Sequence, residues 1–261
     1  MAIYSQKEIE ILREGGRRLA EILQKVKDEV RPGISTKELD LFAEKLIRDG
    51  GDVPAFLYYS PPGSDYPYPA SLCVSVNDEV VHGIPSNKRV LEEGDVVGLD
   101  LGLVHDGLVT DCAITVPVGQ ISKEKQKLIL TTKNALFEGI RSAKAGNTTG
   151  DIGNAIESCI NVRKYGLVEQ LGGHGVGREV HEEPFVPNYG KKGRGQKLKV
   201  GQVLALEPML TLGTKDVFLD KDGYTFKTKD ASVSAHFEHT ILITDGDAEI
   251  LTMPSISADP E

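Results

Sequence analysis

The 261-residue sequence contains no tryptophan, and aromatic residues make up only 6% of it, so its core must rely on aliphatic side chains, tyrosine and phenylalanine. Cysteine is scarce as well. Cys73, Cys112 and Cys159 are odd in number, widely spaced and without a CxxC pair. That excludes a disulfide framework and a zinc-finger spacing, and points to reduced thiols. No stretch approaches the roughly 18 apolar residues of a membrane span. The N-terminus turns charged at Lys7, before a secretory apolar region could form. A cytoplasmic protein without membrane attachment is expected. Basic residues are the minority, 30 Lys and Arg against 39 Asp and Glu, for a formal net charge of −9. This speaks against DNA binding, which needs a basic surface to displace counterions, and leaves no polybasic anchor. The length suits one large domain or two small ones.

Helix signals come first. Ser5-Gln-Lys-Glu8 and Ser35-Thr-Lys-Glu38 are capping boxes, each followed by apolar residues at helical spacing. Arg31-Pro32-Gly33 stops the first helix and Gly50-Gly51 the second. Residues 52–70, rich in Pro, Tyr and Ser, read as a loop. Short β-branched runs follow at Leu72–Val76, Val96–Val104 and Leu108–Val116, with the hairpin signal Asp106-Gly107 between the last two. Ser122 to about Ile140 predicts a third helix, and Thr148-Thr-Gly-Asp151 opens a fourth. Residues 184–200 read as a Gly- and Lys-rich loop, and Val203–Leu206 and Ala235–Thr244 as strands.

This order contains a weak internal repeat. Pro32-Gly33-Ile-Ser-Thr36-Lys-Glu-Leu39 parallels Ala145-Gly146-Asn-Thr-Thr149-Gly-Asp-Ile152. Gly94-Asp-Val-Val-Gly-Leu-Asp100 parallels Gly201-Gln-Val-Leu-Ala-Leu-Glu207, and Asp111-Cys-Ala-Ile-Thr-Val parallels Glu238-His-Thr-Ile-Leu-Ile. Each half reads helix, helix, strand, strand, and carries two carboxylates at matching places. A single catalytic domain over 1–254, built of two related halves (about 5–118 and 122–245), is therefore expected, with 255–261 as a polar tail.

Asp100 interrupts an apolar run, where an acid is costly to bury unless paired or bound to a metal. A two- or four-residue loop at Asp106-Gly107 puts Asp100 and Asp111 on one face; three residues without a bulge would separate them. Asp111 alone could equally be an exposed strand-end acid. Glu207 and Glu238 also stand at apolar strands. Four acids arranged as two equivalent pairs suit divalent ions, two of which can share bridging carboxylates. Gly172-Gly-His174-Gly-Val-Gly-Arg-Glu-Val-His181-Glu-Glu-Pro184 adds two histidines among glycines, without GxGxxG or HExxH spacing. His82 lies in Val-Asn-Asp-Glu-Val-Val-His-Gly-Ile-Pro. His105 and His236 read as packed or surface histidines. No GxSxG elbow supports a serine hydrolase.

SVNDEVVHGIP, GLDLGLVHDGLVTD, GGHGVGREVHEEP, ALEPM and FEHT, in this order, resemble the methionine aminopeptidases of bacterial type I over nearly the whole chain. The resemblance implies an α/β (α+β) pita-bread fold with a pseudo-two-fold, its curved and mainly antiparallel sheet carrying helices on the outer face. It implies five ligands for two divalent ions (Co, Mn, Fe or Zn): Asp100, Asp111, His174, Glu207 and Glu238. Asp111 and Glu238 would bridge the ions, His174 and Glu207 would complete one, and Asp100 would bind the other. His82 and His181 match the catalytic histidines, and Glu207 would also shuttle the proton. The implied reaction removes the N-terminal Met of nascent polypeptides with a small second residue. Tyr68 and Cys73 match methionine-pocket positions. Tyr224 stands where Trp is usual, Val180 where Phe is frequent and His236 where Gln is common, and the loop Tyr58–Pro67 is longer than usual. These departures bear on pocket shape and selectivity.

Two other readings share the fold. Xaa-Pro peptidases normally carry a sizeable N-terminal domain, yet here His82 arrives after two helices and a loop. Non-catalytic binding modules lose ligands that are all present here. The basic run Lys191-Lys192-Gly-Arg194-Gly-Gln-Lys197-Leu-Lys199 suggests a ribosome contact, set against the plainer account of a solvated loop. Nothing in the chain requires a partner to complete the site, and a monomer is expected.

Overall fold

The computed structural model describes residues 2–61 and 63–254; the expected tail 255–261 lies outside the described residues. Among the described residues the first half of the chain runs α1 (Gln6–Asp28), α2 (Thr36–Asp49), β1 (Val53–Pro54), β2 (Leu72–Val76), β3 (Glu79–Val81), β4 (Val96–His105) and β5 (Leu108–Pro117). It continues through α3 (Lys123–Ser142), α4 (Thr149–Ser158), β6 (Gly166–Leu167), β7 (Gly172–Gly175), β8 (Glu182–Pro187) and β9 (Val203–Leu206). The short strands β10 (Met209–Thr211), β11 (Val217–Leu219), β12 (Phe226–Thr228) and β13 (Ser234–His236) precede β14 (Glu238–Leu242) and β15 (Glu249–Ile250).

The helices start where their caps direct. Ser5 accepts from the Glu8 amide while Glu8 accepts from the Ser5 amide, and Ser35 and Glu38 repeat the arrangement. The main sheet is antiparallel, with strand order β1-β4-β5-β14-β9-β7-β8; β2 also pairs with β4, and β15 with β14. Two smaller three-stranded sheets, β13-β10-β6 and β11-β12-β3, flank it. At the β4–β5 turn, His105 pairs with Leu108, so the loop holds two residues, Asp106 and Gly107. Both have positive φ (44° and 82°), the requirement of a type I′ hairpin.

Strand alternation sorts side chains into two layers. Val97, Leu99, Leu101 and Leu103 of β4, with Cys112 and Val116 of β5, join Leu19, Leu23, Val26, Leu39 and Ile47 of α1 and α2 in one core. Leu204, Leu206 and Ile241 join Leu128, Leu136, Ile140, Ile152 and Ile156 of α3 and α4 in a second. The opposite face gathers Tyr68, Cys73, Val180, Val203, Ala205, Tyr224 and Leu242 in a third. The helices therefore cover mainly one side of the sheet, and the other side carries the candidate site residues, with Ile9 and Leu12 of α1 at its margin.

Two readings need correction. The run Ala235–Thr244 is not one strand: Phe237 separates β13 from β14, which belong to different sheets. Residues 184–200 are not all loop, because β8 runs through Glu182–Pro187 despite Pro184 and Pro187. Proline is tolerated there because β8 stands at the edge of the sheet order, where missing donors break no ladder.

Candidate metal centre

Strand register brings the acids together. Cys73, Asp100, Ala113 and Glu238 align in one row across β2, β4, β5 and β14. Asp111 pairs with Gly102 a pleat further along, and His174 pairs with Ala205, which in turn faces Thr240. Glu207 follows Ala205 by two residues and so keeps its side of the sheet. Gly102, Ala113 and Ala205 occupy the intervening places with almost no side chain, and the place above Gly102 is taken by Phe56 and Ala55, where a Cβ would lie 2.6 Å from the Phe56 ring. Gly173 is required for this approach: a Cβ there would lie 2.2 Å from the Ala205 carbonyl oxygen, so only glycine lets β7 lie close enough to seat His174.

The ligand-type atoms converge. One atom each from Asp111, His174 and Glu238 lies within 4.8 Å of the others. His174 Nε2 is 3.5 Å from Glu207 Oε1 and 3.9 Å from Glu238 Oε1. Its Nδ1 donates to the Gly175 carbonyl at 2.9 Å, an oxygen that can only accept. The neutral ring therefore holds its proton on Nδ1 and presents a bare Nε2 lone pair to the carboxylates, as a metal ligand must.

Buried acids elsewhere in the molecule are satisfied by protein groups. Asp40 accepts from the amides of Ser71 and Leu72 at 2.8 and 3.0 Å and from Lys37 at 2.6 Å. Asp52 meets His105 at 2.7 Å, a structural pair that accounts for that histidine. Among the described residues, the buried carboxylate oxygens left without a hydrogen bond are Asp100 Oδ1, Asp111 Oδ1 and Glu238 Oε1, all on the same cavity wall. Burial pushes Glu207 up to about 8; burial, opposed by His236 and reinforced by Glu207, pushes Asp100 up to about 6. Burial and the adjacent carboxylates hold Asp111 and Glu238 well above the ordinary range. Desolvation lowers His174 to about 3 and His236 to about 4. Near neutrality, then, Glu207 is held protonated, burial biases the other acids toward their neutral form, and the imidazoles are neutral donors of electron pairs. A divalent cation replaces those protons, and the donor set of oxygens and imidazole fits one.

The remaining predicted residues line the same cavity, of about 60 Å³: His82 and His181 stand with Tyr68, Cys73, Val180 and Tyr224. His181 lies at the exposed mouth, its ring 4.5 Å from that of His174. His82 takes a left-handed backbone conformation, φ 59°, at the turn after β3. Tyr68 donates to the Gly83 carbonyl at 2.9 Å, and Tyr224 donates to the Tyr66 carbonyl.

Some participants escaped sequence reasoning. His236 is buried with Nε2 3.5 Å from Glu207 Oε2, so Glu207 lies between two imidazoles. Its place in a motif where Gln is common was the available signal. Phe56 and Tyr59 also line the cavity, brought there from a segment with no local chemical signature.

The buried acids and imidazole gathered on the sheet face opposite the helices suit a divalent cation, and residues 10–245 match metallopeptidase family M24, so the chain is a metallopeptidase of that family. The chain is 50% identical to a methionine aminopeptidase of Aquifex aeolicus over 256 residues, covering 96% of this chain and 98% of that protein. The crystal structure of methionine aminopeptidase from Rickettsia prowazekii superposes with a TM-score of 0.92 at 37% identity, covering 97% of this chain and all of that one. A prolidase from Pyrococcus furiosus, at 23% identity and a TM-score of 0.75, shares the pita-bread fold. Within family M24, the chain belongs to the methionine aminopeptidases.

Proposed function

We propose that this chain is a divalent-metal aminopeptidase that removes the N-terminal methionine of nascent polypeptides whose second residue is small. The observation that carries the reading is the set of buried, unpartnered carboxylate oxygens on Asp100, Asp111 and Glu238, with Asp111 and Glu238 converging on His174. Asp100, Asp111, His174, Glu207 and Glu238 would hold two ions, drawn from Co, Mn, Fe or Zn. When bound, the ions supply Lewis acidity that activates water and polarises the scissile carbonyl.

The chain's own groups do the rest. Glu207, with one oxygen toward His174 and the other toward His236, accepts the proton of the attacking water and passes it to the leaving amine. His181, at the mouth, donates to the carbonyl oxygen as negative charge grows there, and His82 holds the scissile amide. Tyr68, Cys73, Val180 and Tyr224 enclose the methionine side chain. Residues 1–254 form one catalytic unit of two related halves, each contributing its pair of carboxylates. In the same reading the protein works in the cytoplasm as a monomer. The exposed basic stretch 191–199 serves as its ribosome contact, which cosedimentation unchanged by salt and by neutralising the lysines would remove.

The test is turnover of Met-Ala- and Met-Gly-initiated peptides against Ala-Pro peptides. Activity on the first two is lost with chelator and restored by Mn, Fe, Co or Zn, and Glu207→Ala abolishes it in a folded protein. Fully metal-loaded protein that leaves the Met peptides intact, or that prefers Ala-Pro, overturns the reading.

A further inference from the structure

The segment around Tyr59, expected from the family resemblance to be longer than usual, does more than border the cavity. Its neck is closed by two hydrogen bonds, from the Tyr58 amide to the Tyr68 carbonyl and from the Tyr68 amide to the Tyr59 carbonyl, both 2.8 Å. The Tyr59 amide donates to the Phe56 carbonyl at 2.9 Å, so both main-chain groups of Tyr59 are fixed. Tyr59 therefore sits at the anchored neck, and its ring reaches across 122 residues of sequence to His181. Its hydroxyl oxygen is 2.8 Å from His181 Nδ1, and the two ring centroids are 5.4 Å apart.

We infer that Tyr59 is a positioning residue for His181: its hydroxyl donates to Nδ1, which fixes the imidazole as the Nε2–H tautomer and leaves Nε2–H as the donor offered to the substrate carbonyl. The inference rests on the proposed role of His181. The direction of the bond follows from the chemistry of the pair. A phenol is a better donor than acceptor, and the unprotonated nitrogen of a neutral imidazole is the stronger acceptor of the two rings. Among the described residues, the Tyr59 hydroxyl has no hydrogen-bond partner besides His181. His174 and His181 are thus set in opposite senses by their Nδ1 partners. His174 donates its Nδ1–H to a carbonyl and keeps Nε2 bare for a cation, whereas His181 accepts a hydrogen bond at an unprotonated Nδ1 and keeps Nε2–H. The neck that holds Tyr59 is braced on its other strand by Tyr68, whose hydroxyl donates to Gly83 beside His82. One short element thereby orients one histidine directly and supports the turn that carries the other.

The experiment compares wild type with Tyr59→Phe, which keeps the ring and removes the hydroxyl, and with His181→Ala and the double variant. Nitrogen NMR of zinc-loaded, ¹⁵N-histidine-labelled protein, with His181 identified by its loss in His181→Ala, reads the tautomer directly. The expected wild-type spectrum has a pyridine-like Nδ1 and a pyrrole-like Nε2, and Tyr59→Phe moves both toward the average of exchanging tautomers. Turnover of a Met-Ala peptide falls roughly 10- to 100-fold in Tyr59→Phe, less than the loss of a full oxyanion donor, with KM little changed. In the His181→Ala background, Tyr59→Phe costs nothing further. A protonated Nδ1 in wild type, His181 signals unchanged in Tyr59→Phe, or losses that multiply in the double variant would each overturn the inference. Metal-loaded wild type without peptidase activity would instead overturn the functional reading, and the nitrogen shifts would still decide the tautomer.

Discussion

Thr240→Val removes one hydroxyl and almost no volume, and the structure assigns that hydroxyl a large share of local stability. The β5–β14 ladder pairs Glu238 with Ala113 and His239 with Cys112 and then stops. At the next position the Thr240 side chain takes over. Its Oγ1 accepts from the Asp111 amide at 2.9 Å and donates to the Asp111 carbonyl at 2.7 Å, in surroundings where Thr240 is fully buried. Valine leaves both main-chain groups of Asp111 without a partner. An unsatisfied buried polar group costs about 1–3 kcal/mol, so the pair should cost about 2–6 kcal/mol of folding free energy in total. Asp111 is also a ligand in the proposed function, and loss of a group that orients a ligand lowers metal affinity about 10- to 100-fold. Urea denaturation of the metal-free protein, monitored by circular dichroism, measures the first effect, and titration calorimetry with Mn measures the second. A stability change below about 0.5 kcal/mol together with unchanged affinity would refute the assignment of Thr240 as the clamp on Asp111.

Other perturbations follow from the same structure. Glu207 has its carboxyl raised from 4.5 to about 8, so the folded metal-free protein binds more protons than the unfolded chain across that window, and its contribution to stability is lost as pH rises. His174, lowered to about 3, and His236, lowered to about 4, oppose it only below their ordinary value of 6.5. Metal-free protein should therefore lose stability from pH 6.5 to 8 in denaturant titrations. Metal binding near neutrality should release protons, seen as a binding enthalpy that varies with the ionisation enthalpy of the buffer. Equal stability at the two pH values, or a buffer-independent enthalpy, would contradict the protonated site. Leu99→Ala, at a fully buried position between β4 and the helices, should cost about 2–5 kcal/mol by chemical denaturation; under 1 kcal/mol would mean that the helix-side core is loosely packed. Ser35→Ala removes the cap of α2 and should cost about 1 kcal/mol, readable as a lowered urea midpoint.

What the sequence reveals here follows from how locally each feature is encoded. The capping boxes, the Asp-Gly turn and the alternation of β4 and β5 depend on neighbours a few residues apart, and they appear in the structure as read. Asp100 was conspicuous because an acid amid Val96-Val-Gly-Leu and Leu-Gly-Leu contradicts its surroundings. The break at Phe237 was not legible, because the exchange of β13 and β14 between sheets is decided by distant partners. The prolines of β8 mimic loop composition, and only its edge position makes a strand of it. His236 is not legible as a site residue because one histidine in an apolar run is commonly packing, and only the structure shows its approach to Glu207. Tyr59 and Phe56 lie in a segment whose local composition signals a turn. Their contribution depends on contacts with residues over a hundred positions away.

The two-residue turn at Asp106 and Gly107 has a bearing on which elements the protein can bind. It sets the phase of β5 against β4, with Asp111 opposite Gly102. Slipping that phase by a single residue would exchange the two faces of β5. Cys112, now packed among the aliphatic residues beneath the helices, would then face the buried carboxylates in place of Asp111. In the proposed function a hard oxygen would give way to a soft thiolate, and the preference would shift toward thiophilic metals. Hardness at the proposed centre is thus written partly into a turn that supplies no candidate ligand of its own.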